Sequence, residues 1–375
     1  MIRAAVTRRA TGAPEPARTY RGSMVRPAAR FAVLGLLVLT ACEPTGSPGR
    51  QHGPSASATT DSGSPPAAPA AGPAVPCDVG DVVDVADANG LQRALDRARP
   101  GQVIRLADGR YEGQFVARAQ ASAETPIRLC GSRNAVLDGG GVEHGYTLHL
   151  DGASYWQVSG ITVTGGQKGV MVDSGVGNRI EGLLVTSVGD EAIHLRRNST
   201  GNVVAGNAVR DTGRLKAKYG EGIYIGSAHS NWCQLTDCGP DRSDGNDIEG
   251  NDIAGTTAEA VDIKEGTSDG MLRGNVFDGS QMVKADSWVD VKGNSWTIEG
   301  NTGTSSPQDG FQVHEAVTGW GQDTVFSGNR ATVNGPGYGI NVAAPSALRS
   351  STTVRCDNVT VGAERGLSNV HCSGG

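Results

Sequence analysis

Asp247-Ile248-Glu249-Gly250-Asn251 and Thr297-Ile298-Glu299-Gly300-Asn301 share one design: a short alternating strand that runs into a Gly-Asn turn. The same pair recurs at Gly206-Asn207, Gly274-Asn275 and Gly328-Asn329, giving successive spacings of 44, 24, 26 and 28 residues. A second strand series falls between the pairs: residues 191–196, 221–226, 259–264, 287–292, 309–314 and 338–343. Each repeat therefore supplies at least two strands and turns, and strands this short bury no face alone. Stacked as coils they form one continuous core. The Leu-x-x-Leu signature of leucine-rich repeats is missing. The reading is thus an all-β chain, a right-handed parallel β-helix. Glycine suits bends that need positive φ, and an asparagine recurring at one register can hydrogen-bond along the stack as a ladder.

Before the coils, Ala88 to Ala98 places Leu91, Ala94, Leu95 and Ala98 on one helical face, with Pro100-Gly101 as the stop. This predicts an N-terminal helix that caps the open end of the core. The runs 103–106, 127–129 and 135–137 read as the first coils.

Together with the Gly-Asn rungs, Gln102-Val103-Ile104-Arg105-Leu106-Ala107-Asp108-Gly109-Arg110-Tyr111 resembles the pectin-lyase-like β-helix superfamily, over nearly all of residues 77 to 345. That superfamily contains lyases, hydrolases, epimerases and binding proteins, so the resemblance implies the fold before any activity. The Asn-Thr-Asp, Asp-Asp, Gly-His-Gly and Arg-Ile-Lys motifs of polygalacturonase-like hydrolases are missing. So is the Asp-Pro-His-Asp motif of mannuronan epimerases. The segment from Glu259 to Gly279 is similar in outline to the catalytic rung of β-helix lyases acting on pectate, alginate or dermatan, although no matched Arg motif follows one coil later.

In the second series, equivalent positions of successive coils stack about 4.8 Å apart. Two outward columns follow: His194, Tyr224, Asp262, Asp290, Gln312, Asn341; and Arg196, Gly226, Lys264, Lys292, His314, Ala343. Glu191, Glu221, Glu259 and Asp309 form a third, acidic column at the corner, with Ile193, Leu195 and their equivalents facing inward. A face that concentrates carboxylates, cations and imidazoles is a candidate site; the plainer alternative is a charge ladder, like the column Glu249, Arg273, Glu299 on another sheet. Exposed pairs of that kind contribute only about 0–1 kcal/mol each.

β-Elimination of a uronic acid polymer needs a base for the C5 proton and a cation to neutralise the adjacent carboxylate. By the resemblance Lys264 is the first candidate for the base and Lys292 the second, with neighbouring cations expected to depress the lysine pKa. His314 or Arg196 would protonate the leaving oxygen or hold a carboxylate. Asp262, Asp290, Glu221 and Glu259 would hold Ca²⁺, which favours carboxylate oxygens. Tyr224, Trp288 and Trp320 would stack on sugar rings, and His194 and Gln312 complete the substrate-facing column. The expected activity is a polysaccharide lyase acting on an acidic glycan. Two rivals stay open: a hydrolase with Asp262 and Asp290 as its carboxylate pair, and a non-catalytic glycan-binding surface protein. The insertion from Arg214 to Asn246, with Lys216, Lys218, Trp232 and Arg242, is expected to rim the binding face.

Arginines, an apolar run from Phe31 to Leu39 and then Leu39-Thr40-Ala41-Cys42 read as an export signal over residues 1–41, with Cys42 as the lipidated residue of a membrane-anchored, cell-surface lipoprotein. Residues 42–76 are dominated by Pro, Ser, Gly, Ala and Thr and read as a flexible tether; residues 77–375 read as one β domain. The whole chain has 33 basic and 39 acidic residues, and from Cys42 onward the balance is 26 to 38. Nucleic acid, which calls for a basic surface, is excluded as a partner. Six further cysteines in an exported chain suggest disulfides. Proximity favours Cys77–Cys130, Cys233–Cys238 and Cys356–Cys372.

Overall fold

The computed structural model describes residues 77–343 and 345–374. The export signal, Cys42 and the tether lie outside them. Within the described residues the strands assemble into three parallel sheets of 11, 9 and 10 strands, each pairing only with its counterparts in the coils before and after. This is the parallel β-helix expected of the repeat, with three strands per coil. No helix among the described residues is long and apolar enough to cross a membrane.

The repeat explains itself coil by coil. Gly206, Gly250, Gly274, Gly300 and Gly328 all sit at φ between +59° and +63°, the left-handed region where a Cβ is penalised. The asparagine after each is buried. Asn207 Nδ2 donates to Asn251 Oδ1 (2.9 Å), Asn251 to Asn275 (2.9 Å), Asn275 to Asn301 (2.9 Å), Asn301 to Asn329 (3.0 Å) and Asn329 to Asn358 (2.8 Å). Each amide also takes a backbone N–H from the coil before it, as Asn251 does from Asn207 (3.0 Å), so buried turns keep their polar groups satisfied. A shorter ladder joins Asn178, Asn202 and Asn246 at another corner. Between the ladders, Ile180, Val204, Ile248, Leu272, Ile298, Phe326 and Val354 stack in register, all buried.

Helix Ala88–Asp96 closes the N-terminal end with Leu91 and Leu95 in the core, and Asp87 caps it by accepting from Gly90 N–H (2.7 Å). It stops two residues short of Ala98 and is preceded by strand Asp81–Val85, the first rung of the 11-stranded sheet, which the repeat pattern did not announce. The three expected disulfides are all formed, and Cys77–Cys130 fastens the capped end.

Trp288 corrects the sequence reading. Its indole is fully buried, edge-on to Phe311 at 5.8 Å, and cannot stack on a sugar. Alternation fails at this corner, where the position before the first inward residue also turns into the core. Its registered neighbours are small (Ala192, Gly222, Ala260 and Gly310), and a Cβ on Gly303 would lie 2.4 Å from the indole, so Trp288 fills space the glycines leave.

Candidate active site

The nine-stranded sheet carries the columns in the predicted register: His194 pairs with Tyr224, Tyr224 with Asp262, Asp262 with Asp290, Asp290 with Gln312 and Gln312 with Asn341. Ile193, Leu195 and their equivalents are buried inward, which fixes the outward direction of everything between them. Over this face lies a cleft of about 570 Å³. Its floor presents Glu191, His194, Arg196, Glu221, Tyr224, Glu259, Asp262 and Lys264; the insertion adds residues 216–219 before strand Ile223–Ile225 and residues 227–235 after it, and Lys284 joins the lining from a later coil.

The floor is dense in charge, and its charged groups are largely buried. Asp262 accepts from Lys264 Nζ (2.5 Å) and Lys292 Nζ (2.8 Å), and Lys292 also reaches Asp290 (2.5 Å), whose other oxygen bonds His314 Nδ1 (2.7 Å). Burial alone would lower the Lys264 ammonium, but Asp262 outweighs it and holds the pKa above the ordinary lysine value. The expectation that neighbouring cations depress it is therefore overturned: the nearest charge is a carboxylate. Lys292 is raised by the same balance against Asp262 and Asp290, and Asp290 is held low despite burial by Lys292 and His314. Both carboxylates of the hydrolase pair are thus ion-paired, Asp262 to two lysines and Asp290 to Lys292 and His314, and Asp290 is not the proton-carrying acid that glycoside hydrolysis requires.

Glu221, Glu259 and Asp262 bring ligand oxygens within 4.8 Å of one another. Glu221 Oε2 is buried with no hydrogen-bond partner. Burial, then Glu191 and Asp262, push Glu221 up to about 9; burial and Asp262 push Glu259 up to about 7. Asp290, expected among the metal ligands, is instead committed to Lys292 and His314.

His194 is buried, and burial followed by the charges of Lys168 and Arg196 keeps its ring neutral. Its Nε2–H is assigned as donor to Gly226 O (2.9 Å), which leaves the lone pair on Nδ1, buried without a hydrogen-bond partner and 3.5 Å from Glu191 Oε1. The ring lies 4.3 Å from that of Tyr224, and Lys264 Nζ is 4.9 Å from the Tyr224 ring centre. Burial and the charges of Asp262 and Glu221 keep the Tyr224 phenol protonated.

Other predicted residues take different places. Arg196 reaches the cleft but is tied to Asp173 (2.7 Å) and to Tyr146 Oη (3.1 Å), and Asp173 also bonds His149 (3.0 Å). Lys292, His314, Gln312 and Trp320 do not line the cleft. Gln312 is buried and donates to Asp309 (2.8 Å), and Trp320 lies against Arg242, 5.8 Å from its guanidinium. Lys168, which bonds Glu191, and Tyr219 on the wall were missed. Lys168 was findable, because it precedes the strand register of Glu191 by one coil; Tyr219 lies outside any repeat.

No protein-family model and no curated protein matches the sequence. Among solved structures, an alginate lyase from Paenibacillus sp. str. FPU-7 is 34% identical and superposes with a TM-score of 0.72, over 78% of this chain and 99% of that one. Pectate lyase Pel9A is 17% identical with a TM-score of 0.59, over 74% of this chain and 71% of its own, a likeness of fold. On the strength of the first match, which spans that lyase almost end to end, the protein belongs to the pectin-lyase-like parallel β-helix superfamily and, within it, to the same family of polysaccharide lyases.

Proposed function

We propose that the protein cleaves a uronate polysaccharide by β-elimination, with alginate as the first substrate to try. The observation that carries this reading is the convergence of Lys264, Tyr224 and His194 on one cleft floor, with carboxylates beneath them. Lys264 takes the C5 proton. The electron pair left on C5 forms the C4–C5 double bond as the C4–O bond breaks, and the Tyr224 phenol gives its proton to the departing glycosidic oxygen. The protonated state of Tyr224 suits a donor. Lys264 is protonated in the free protein and acts as base only after losing that proton, so the reading requires activity that climbs with pH. Arg196, pinned by Asp173, fixes one edge of the cleft floor, and the neutral His194 ring, held by Gly226 O, backs the Tyr224 ring 4.3 Å away.

A hard divalent cation fits the cluster by its chemistry: three carboxylates, one with an orphaned buried oxygen. Calcium held by Glu221, Glu259 and Asp262 would supply charge to neutralise a substrate carboxylate and would weaken the hold of Asp262 on Lys264. The Leu39-Thr40-Ala41-Cys42 segment supports a lipid-anchored protein outside the cytoplasm, and three disulfides accord with that compartment. Replacing Cys42 by Ser tests the anchor: the variant should leave the membrane fraction, and retention there would contradict it. The activity is tested by ultraviolet absorbance of unsaturated products from alginate and other polyuronates. Reducing ends without absorbance would contradict elimination.

A further inference from the structure

The floor of the cleft has no cation to spare. Lys168 is bonded to Glu191, Arg196 to Asp173 and Lys264 to Asp262, while Glu221 and Glu259 add further acid. Such a floor offers a polyanion no unpaired positive charge of its own. The wall before strand Ile223–Ile225 supplies most of that charge, and the exposed Lys284 also lines the cleft. Lys216 and Lys218 are exposed, line the cleft and form no ion pair with any described residue. Next to them Tyr219 is 40% exposed, its ring centre 4.4 Å from Lys218 Nζ and 5.8 Å from Lys216 Nζ.

This wall is anchored to the coils. Leu215 and Lys216 N–H both donate to Gly189 O (2.7 and 3.3 Å), Tyr219 N–H donates to Lys216 O (2.8 Å), and Thr257 Oγ1 donates to Ala217 O (2.8 Å). Gly213 packs so closely that a Cβ on it would lie 2.9 Å from Gly220 Cα. An aromatic side chain fixed at the mouth of a cleft, beside two ammonium groups without carboxylate partners, suits a pyranose whose C–H face packs on the ring while its carboxylate meets the cations.

We infer that Lys216, Tyr219 and Lys218 form a binding subsite for a uronate residue beside the one that reacts: Tyr219 takes the sugar face and the two lysines take its carboxylate. The inference rests on the lyase reading and adds the group that selects an anionic chain over a neutral one. The lysines are exposed, so their contribution is screened by salt.

The test uses the full chain with the double variant Lys216→Ala/Lys218→Ala and, separately, Tyr219→Ala. KM for polyuronate should rise about tenfold in the double variant, equivalent to about 1.4 kcal/mol. Its kcat should stay close to wild type, and its KM should respond less to added NaCl. Electrophoresis through an alginate-containing gel reads binding without catalysis: the wild type should be retarded and the double variant released. Tyr219→Ala should lose retardation as well. Cleavage by wild type together with unchanged KM and retardation in the variants would overturn the subsite alone. Retardation that depends on Lys216 and Lys218 without unsaturated product would support the subsite and overturn the lyase reading.

Discussion

Replacing Asp262 by Asn tests what sets the protonation of Lys264. The two groups are 2.5 Å apart, with side-chain exposures of 14% and 2%, so bulk water screens them little. At an effective dielectric of about 20, unit charges about 4 Å apart interact by about 4 kcal/mol. One pH unit corresponds to about 1.4 kcal/mol, so loss of the carboxylate should lower the lysine pKa by about two to three pH units. Burial, no longer opposed, acts in the same direction. If Lys264 is the base, its deprotonated form is the active one, and the rising limb of kcat/KM against pH should move down by about two pH units in the variant. The assay is product absorbance on one polyuronate across the pH range, at fixed ionic strength. A limb at the same pH in both proteins, assayed at saturating Ca²⁺ because Asp262 also belongs to the proposed calcium cluster, would refute the reasoning.

Glu221 should give the protein a pH-dependent stability. Its folded pKa of about 9 lies above the unfolded value of about 4.3, so the folded state binds the extra proton between them and stability falls as pH rises through that window. Glu221→Gln should flatten the fall of Tm, and Ca²⁺ should raise Tm of the wild type at pH 8 but not of the variant; a wild-type Tm indifferent to both pH and calcium would contradict this. Asn251→Ala removes an amide that bonds Asn207, Asn275 and Val204 O, and should cost about 2–5 kcal/mol by denaturant titration, against near-neutrality if the ladder is incidental. Trp288→Ala should cost about 3–5 kcal/mol with little change in KM, whereas a sugar-stacking tryptophan would lose substrate affinity and little stability.

The register of the active face was legible because strand alternation and a Gly-Asn turn leave one way to stack the coils. His194, Tyr224, Asp262 and Asp290 therefore fell into one column from sequence alone. The same rule misled at Trp288, where the chain rounds a corner and two successive side chains face in; the row of Ala and Gly at that register was the available signal. The pairing of Lys264 with Asp262 follows from their i, i+2 spacing on one strand face. The net sign of the Lys264 shift does not, since it depends on how deeply the insertion buries the floor. Lys216 and Lys218, named with the insertion expected to rim the binding face, do line the cleft; Tyr219 was not legible, because the insertion belongs to no repeat and its path is fixed by bonds to Gly189 and Thr257 in separate coils.

The most direct test of the account is to incubate the purified full chain with alginate, with and without Ca²⁺, beside a folded Lys264→Ala variant, and follow product absorbance. The account predicts unsaturated product from the wild type, at a rate that climbs with pH, and none from the variant. Equal absorbance from both proteins, or none from the wild type on any polyuronate, would contradict it.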